Sequence, residues 1–445
     1  MAQQLKIKKH LSSFQIIIFG FLAVILIGAV ILSMPFCSKS GDFTPFEDAI
    51  FTATSAVCVT GLVTVDTATH WSSIGHIIII TLIQIGGMGV VTVAASIALL
   101  SGRKIGLFQR STLQEAIGAQ KMGGIVRLMR FILIITFSIE LLGAAAMAPV
   151  FCRDFGFWRG LWFSLFHSIS AFCNAGFDLL GETAKFSSLT SYAQNPVINI
   201  VIMLLILFGG VGFLTWDDIR THHIHIRKYR MQSKVVLTMT LVLVLAPALL
   251  FFFTEFENEP LGSRILYSLF QAITPRTAGF NTVDFSLMSE AAIMVMTVLM
   301  LIGGSSGSTA GGMKITTTAV LLGSALSVFR RKNSVSLFKR RIDDSTVKSA
   351  AAIFVMYVTL FLGGSISISL IEKLPILTCM FEAGSAVATV GLTMGITPSL
   401  SLASHIILMV LMFLGRVGGL TLIYAAFSAP EQNLSQLPQE KITVG

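Results

Sequence analysis

Four short segments of the chain close in the same way: FTATSAVCVTGL at Leu62, FHSISAFCNAGF at Phe177, FQAITPRTAGF at Phe280 and FEAGSAVATVGL at Leu392. Their shared glycines, Gly61, Gly176, Gly279 and Gly391, lie 115, 103 and 112 residues apart. The third copy is one residue shorter between its Phe and its Gly and is the most divergent. Glycine lets successive backbone carbonyls turn toward one axis with no side chain in the way. Rings of such carbonyls can replace the hydration shell of an alkali cation. The candidate oxygens belong to Val59, Thr60 and Gly61; Asn174, Ala175 and Gly176; Thr277, Ala278 and Gly279; and Thr389, Val390 and Gly391. A half-helix before each turn, such as Phe46 to Val57, would aim its partially negative C-terminal end at the same centre, favouring cations over anions.

One glycine per turn, against the TVGYG of potassium channels, implies a shorter selectivity filter with looser discrimination. Asp66, Asp178 and Asp284 follow three of the turns. They read equally well as acids concentrating cations at a pore mouth and as solvated loop residues. A second glycine cluster follows each turn: Gly86-Gly87-Met88-Gly89, Gly209-Gly210-Val211-Gly212, Gly303 to Gly307, and Gly415-Arg416-Val417-Gly418-Gly419. In repeats one and two these serve close helix packing. Repeat three differs, because GGSSGSTAGG interrupts an apolar run from about 290 to 327. Each glycine there costs a helix about 1 kcal/mol relative to alanine. The expectation is an intramembrane loop and a gate, formed by Gly303, Gly304, Ser305, Ser306, Gly307, Ser308, Thr309, Ala310, Gly311 and Gly312. It is not a phosphate loop: Met313 separates Gly312 from Lys314, and the flanks are apolar spans rather than a strand and a helix.

Arg416 falls inside the last apolar run, where a lone cation costs at least about 2.5–3.5 kcal/mol. It is expected to face a water-filled pore across from the 303–312 loop, as a barrier or latch, or to pair with Glu140, Glu382 or loop carbonyls. Glu382 is placed to fix the fourth turn, and Lys314 to reach the aqueous side at the loop's end. His222, His223 and His225 sit in a basic loop without carboxylates or cysteines, and read as solvated. Five cysteines without a CxxC give no zinc pattern; Cys37 and Cys152 both lie near the outer ends of spans, and a disulfide between them stays open. No Ser/His/Asp or paired-carboxylate constellation points to an enzyme.

The elements that must position these residues are membrane spans. The 445 residues are 54% apolar and only 12% charged, against about 25% charged in soluble domains, with a mean hydropathy of +0.82. That excludes most soluble enzymes and nucleic-acid binders, although the net charge is +9. Eight stretches reach the roughly 20 residues of a helical span: 13–34, 73–100, 127–151, 196–216, 235–253, 290–327, 349–371 and 402–428. Four shorter stretches between them, 45–62, 160–177, 263–280 and 375–392, look re-entrant, which is tolerated at membrane depth only when buried in protein or lining a cavity. The expected fold is an all-α integral membrane protein, with eight transmembrane helices arranged as four repeats of span, pore helix and span around one central pore.

Residues 1–12 form the N-terminus, 13–100 repeat one, 127–216 repeat two, 235–328 repeat three, 349–428 repeat four and 429–445 the C-terminus, with loops at 101–126, 217–234 and 329–348. Residues 1–12, 101–130, 217–234, 329–348 and 429–445 hold 22 of the 31 Lys and Arg and give one face a charge of about +15, against −6 on the other. The positive-inside rule makes the basic face and both termini cytoplasmic.

With its AVCVTGL, AFCNAGF, PRTAGF and AVATVGL turns, the GGSSGSTAGGMK interruption and LGRVGGL in repeat four, the chain resembles the Trk/Ktr/HKT superfamily of potassium transporters. The similarity covers essentially the whole sequence and is greatest to the KtrB-like membrane subunits of bacterial Ktr uptake systems. Glycine at position 61, rather than serine, is unlike the sodium-permeable plant branch. The resemblance implies a homodimer in the bacterial plasma membrane, each protomer with its own pore. It implies a cytosolic octameric ring of RCK-domain, KtrA-like subunits that binds ATP or ADP and often cyclic di-AMP. It also implies potassium as the transported ion, sodium as an activator, and a gate made jointly by the repeat-three loop and Arg416, serving osmotic adaptation. Membrane lipid is the surrounding medium; no organic cofactor in this chain and no nucleic acid is implied. Two other readings stand beside it: a sodium-permeable or ion-coupled symporter, and a receptor or scaffold with vestigial turns.

Overall fold

The computed structural model describes residues 12–101, 105–118 and 123–419. The N-terminal segment before Ser12, parts of the 101–126 loop, the end of repeat four beyond Gly419 and the C-terminal segment lie outside them. The described chain is almost entirely helical; its only sheet is the two-residue antiparallel pair Ser336–Leu337 and Arg340–Arg341.

Each repeat opens with a long apolar helix: Ser13–Leu32, Ile125–Phe155, Met231–Thr254 and Asp344–Glu372. Among the described residues these four are long and apolar enough to cross a membrane by themselves. Ile125–Phe155, at 31 residues, is about 46 Å long at 1.5 Å per residue, so it must tilt or project beyond a hydrocarbon core of about 30 Å. Their outer faces carry exposed Ile27, Leu141, Leu142 and Val355, side chains that a lipid environment accepts and water does not.

A short helix follows in each repeat: Phe46–Cys58, Phe157–Cys173, Leu261–Ile273 and Ile376–Val387. Pro45, Pro260 and Pro375 stand at three of the starts, where a missing N–H is harmless. Each short helix packs on the long helix before it. At matching places they bury Phe51, Phe166, Phe270 and Phe381 completely. These four phenylalanines are the first residues of the repeated segments, and they anchor each half-helix inside the bundle.

The third helix of each repeat starts from a serine or asparagine: Ser72, Asn195, Ser289 or Ser401. In the first three repeats that side chain caps free N–H groups of the first turn. The sequence predicts continuous spans over 73–100 and 196–216, and the structure differs. Ser73–Met88 and Val90–Leu100 meet at 97°, and Pro196–Val211 and Phe213–His222 at 93°. The hinges are Gly89 and Gly212, with φ of +85° and +91° and extended ψ, a conformation that ends a helix and that side chains resist. Gly418 adopts the same conformation after Leu402–Val417. In repeat three the interruption is a loop between Glu290–Leu301 and Ile315–Phe329, as the run of small residues predicts.

Candidate functional site

The four glycine turns come together in one closed ring. A methyl group on Gly61 would meet the carbonyl oxygen of Ala175 in repeat two. On Gly176 it would lie 2.8 Å from Cα of Gly279 and 2.9 Å from the oxygen of Ala278 in repeat three. On Gly279 it would meet the oxygen of Val390 in repeat four, and on Gly391 the oxygen of Thr60 in repeat one. The order of repeats therefore runs one, two, three, four and back to one, and every glycine faces the carbonyl just ahead of the next glycine. Backbone packs against backbone all the way round, which only glycine permits. Of the twelve residues singled out from the sequence, eleven are buried and Gly61 is partly buried.

The turns share a second feature. Two residues before each glycine, Val59, Asn174, Thr277 and Thr389 are left-handed, with φ of 58°, 59°, 67° and 53°. Three of these are β-branched, for which such a conformation is a genuine outlier. Strain of this kind persists only where the surroundings over-determine it, and a hydroxyl in each half-helix does so. Ser55 and Ser385 Oγ accept from the N–H of Gly61 and Gly391, both at 3.0 Å. Ser170 Oγ donates to the oxygen of Phe177 at 2.7 Å, and Thr274 Oγ1 to that of Phe280. These four residues escape the sequence reading, although they stand in register in the aligned segments. Among the described residues, the hydroxyls of Thr60, Thr277 and Thr389, on the turns themselves, have no protein partner, which leaves hard oxygen donors beside the ring.

Glycines of the third helices close on the half-helix ends. Gly86 lies against the oxygen of Val57, Gly209 against that of Phe172 and Gly415 against that of Val387, each carbonyl four residues ahead of a ring glycine. Packing therefore explains Gly86 and Gly209 of the clusters in repeats one and two, as the sequence suggests, and Gly415 in repeat four, whereas Gly89 and Gly212 of the same clusters are hinges. Repeat three breaks the pattern, since Gly303 folds onto Gly311 within its own loop.

That loop lies against the turns of repeats two and four. Ser305 N–H donates to Gly210 at 2.9 Å, Phe213 N–H to Gly307 at 2.7 Å, and Thr309 Oγ1 to the oxygen of Phe172 at 2.9 Å. Gly311 abuts the side chain of Thr389, and Gly312 abuts Ala388. Arg416 donates through Nη1 to the oxygen of Thr309 and through Nη2 to those of Gly86 and Gly87. Of the partners expected for it, it takes one loop carbonyl, that of Thr309, and adds two that were not expected, in helix Ser73–Met88. Glu140 accepts instead from Gln84 Nε2 at 3.0 Å, and Glu382 from Thr393 and Thr397. Lys314 corrects the sequence reading: rather than reaching away, its Nζ turns back to the oxygen of Ala310 at 2.7 Å. Loop, Arg416 and Lys314 line a cavity of about 510 Å³ that extends to Glu115 and Thr346 of the basic segments.

The three aspartates after the turns order their loops. Asp66 accepts from the N–H groups of Thr69 and Phe186, Asp178 from Leu180 and Asp284 from Ser286. Burial pushes the Asp178 carboxyl up to about 7 although the Leu180 N–H favours its charged form; that weakens it as a cation attractor at neutral pH. Cys37 and Cys152 are both free thiols, donating to the oxygens of Ile31 and Phe157. Arg276 is buried at the third turn, with Nη1 3.4 Å from the oxygen of Thr240.

The closed ring of four glycine turns, with the 303–312 loop tied beside it by Arg416, belongs to a chain with clear relatives among known proteins. Residues 8–437 match the TrkH family, described as cation transport protein. The potassium/sodium uptake protein NtpJ of Enterococcus hirae is 40% identical over 99% of both chains. The Ktr system potassium uptake protein B of Bacillus subtilis is 38% identical over 97% of this chain and 96% of its own. The crystal structure of the potassium transporter TrkH from Vibrio parahaemolyticus shares the fold, with a TM-score of 0.73 at 18% identity, covering 95% of this chain and 86% of that one. This chain is a multi-pass membrane transporter and not an enzyme, and it belongs to the TrkH family of cation transport proteins.

Proposed function

We propose that the chain is the ion-translocating membrane subunit of a Ktr-type potassium uptake system. The observation that carries this is the closed ring of Gly61, Gly176, Gly279 and Gly391, each against a carbonyl of the next repeat. In this reading the carbonyls of the twelve turn residues form the selectivity filter and take over the hydration shell of K+, and the 303–312 loop with Arg416 is the gate. Eight spans surround the pore, counting each bent pair once and the third and fourth repeats' shorter helices as spans. Both termini are cytoplasmic, in the plasma membrane of a bacterium, and two chains form a homodimer. A cytosolic RCK-domain ring, nucleotide-bound, docks on the basic segments and sets the gate for osmotic adaptation, with sodium as an activator.

The test is rubidium or potassium uptake in a potassium-transport-deficient bacterium, with and without an RCK-domain partner. Partner-dependent rescue at low external potassium, lost when Gly279 or Gly391 is substituted, is the expected result. The name of the Enterococcus hirae relative, which includes sodium, favours one second reading: a sodium-permeable or ion-coupled transporter. Sodium flux without potassium rescue would select it and remove the filter assignment.

Ser385→Ala gives a narrower check of the filter. It leaves the N–H of Gly391 buried without its acceptor, a loss of about 1–3 kcal/mol, and the fourth turn loses its brace. Uptake is expected to fall about tenfold with weaker rubidium-over-sodium discrimination. Unchanged discrimination in a correctly inserted variant would remove Ser385 from the filter's support.

A further inference from the structure

Three of the four junctions in the glycine ring are backed by continuous chain, since repeat one leads to two, two to three and three to four. The junction between repeats four and one is not, and must be held by non-covalent contacts alone. Among the described residues, side-chain hydrogen bonds cross it at two places. Arg416 ties it at the loop side. On the other side of the ring His405, near the start of Leu402–Val417, ties it to Glu47 in the first turn of Phe46–Cys58.

The surroundings of His405 fix its protons. The ring is 4% exposed and stands 5.1 Å from Phe51 of the first half-helix. Its Nε2 is 2.9 Å from the backbone oxygen of Thr397, and its Nδ1 is 2.9 Å from Glu47 Oε1. A carbonyl accepts only, so Nε2 carries a hydrogen. A carboxylate also accepts only, so the Nδ1–Glu47 contact needs a second proton, on the imidazole or on the carboxyl. Without it, a lone pair faces a carboxylate. The other ionisable groups facing His405 are carboxylates as well: Glu382 in the fourth half-helix and Glu372 at the end of the fourth long helix, which accepts from Ser401 and Ser404. The chain of contacts continues inward, because Thr397 also donates to Glu382, which accepts from Thr393 just beyond the fourth turn.

We infer that His405 and Glu47 are positioning residues of the conduction site, a clasp that holds one shared proton and closes the ring where the chain cannot. The inference rests on the filter reading above. Loss of the shared proton opens the Nδ1 contact, so selective uptake is expected to be higher at low pH than at high pH.

The experiment uses the full chain in proteoliposomes with equal pH inside and outside, reading rubidium influx and the rubidium-to-sodium ratio from pH 6 to 9. Glu47→Gln is the decisive variant: its amide N–H donates to a neutral Nδ1 while Nε2 keeps Thr397, so the clasp no longer needs the proton. Glu47→Gln is expected to flatten the pH profile and hold the wild-type low-pH ratio at high pH. Glu47→Ala is expected to lower the ratio several-fold at every pH. A Glu47→Gln profile that still declines like the wild type, or a Glu47→Ala ratio equal to the wild type, overturns the clasp. Gly391→Ala run alongside separates the two levels: if it changes the ratio while the Glu47 variants do not, the clasp alone fails; if none changes it, the filter reading fails too.

Discussion

Gly391→Ala is expected to reduce rubidium uptake about 100-fold, equivalent to roughly 2.8 kcal/mol at 1.4 kcal/mol per decade. Two costs combine. Gly391 has φ of +94°, a region where an L-side chain is strained by roughly 1–2 kcal/mol. The new methyl would also meet the oxygen of Thr60 and lie 3.0 Å from Cα of Gly61. Both are backbone atoms of another repeat, so no flexible side-chain end can swing aside. The turn cannot retreat either, because its N–H is held by Ser385 Oγ at 3.0 Å. The strain resolves by displacing a carbonyl of the ring. Gly395→Ala is the control: φ there is +85°, yet nothing lies within 4 Å of the new methyl. It carries the strain without the ring contact and should retain most of the uptake. Initial rates normalised to membrane-inserted protein make the comparison. Equal losses in the two variants would show that strain alone acts, and that the contact between repeats is irrelevant to transport.

How much of this was legible in the sequence follows from which features depend on residue type and which on geometry. The four ring glycines were readable because no other residue tolerates backbone on every side, and the repeat spacing brought them into one alignment. The loop at 303–312 was readable for the same compositional reason. The left-handed residues before the glycines were not: Val59, Thr277 and Thr389 are types that avoid that region, and only the packed ring holds them there. Ser55, Ser170, Thr274 and Ser385 were visible in the aligned segments, but a serine in a buried half-helix gives no sign of whether it satisfies its own helix or a turn. The bends at Gly89 and Gly212 were hidden because a glycine in an apolar run is compatible with close packing, and Gly86 and Gly209 do pack closely. One cluster held a packing glycine and a hinge glycine three residues apart. Lys314 is misplaced because a charge near the end of an apolar run is assigned to water by default, whereas it donates to a carbonyl inside the protein.

Arg416→Ala is expected to raise partner-independent uptake by tenfold or more. The guanidinium joins three oxygens from two elements, those of Thr309 in the loop and of Gly86 and Gly87 in the first repeat. Hydrogen bonds from a charged donor are worth about 1.5–3 kcal/mol each. A net loss of 1.4 kcal/mol from the strapped state already shifts its population tenfold, and the rise stops once the strapped state is the minority. Arg416→Lys should fall between, since an ammonium lacks the planar fork that reaches both sides at once. Removal of 303–312 tests the same element without touching the arginine. Ile302 and Met313 already pair as a β-bridge, so excision joins neighbours rather than stretching the flanking helices. Increased rubidium flux in both variants identifies the loop as the barrier. The strap's position next to the ring makes the opposite result equally informative: if both variants insert normally and flux is unchanged, the arginine serves only to close the seam between the first and fourth repeats, and the gate must be sought elsewhere along the 510 Å³ cavity.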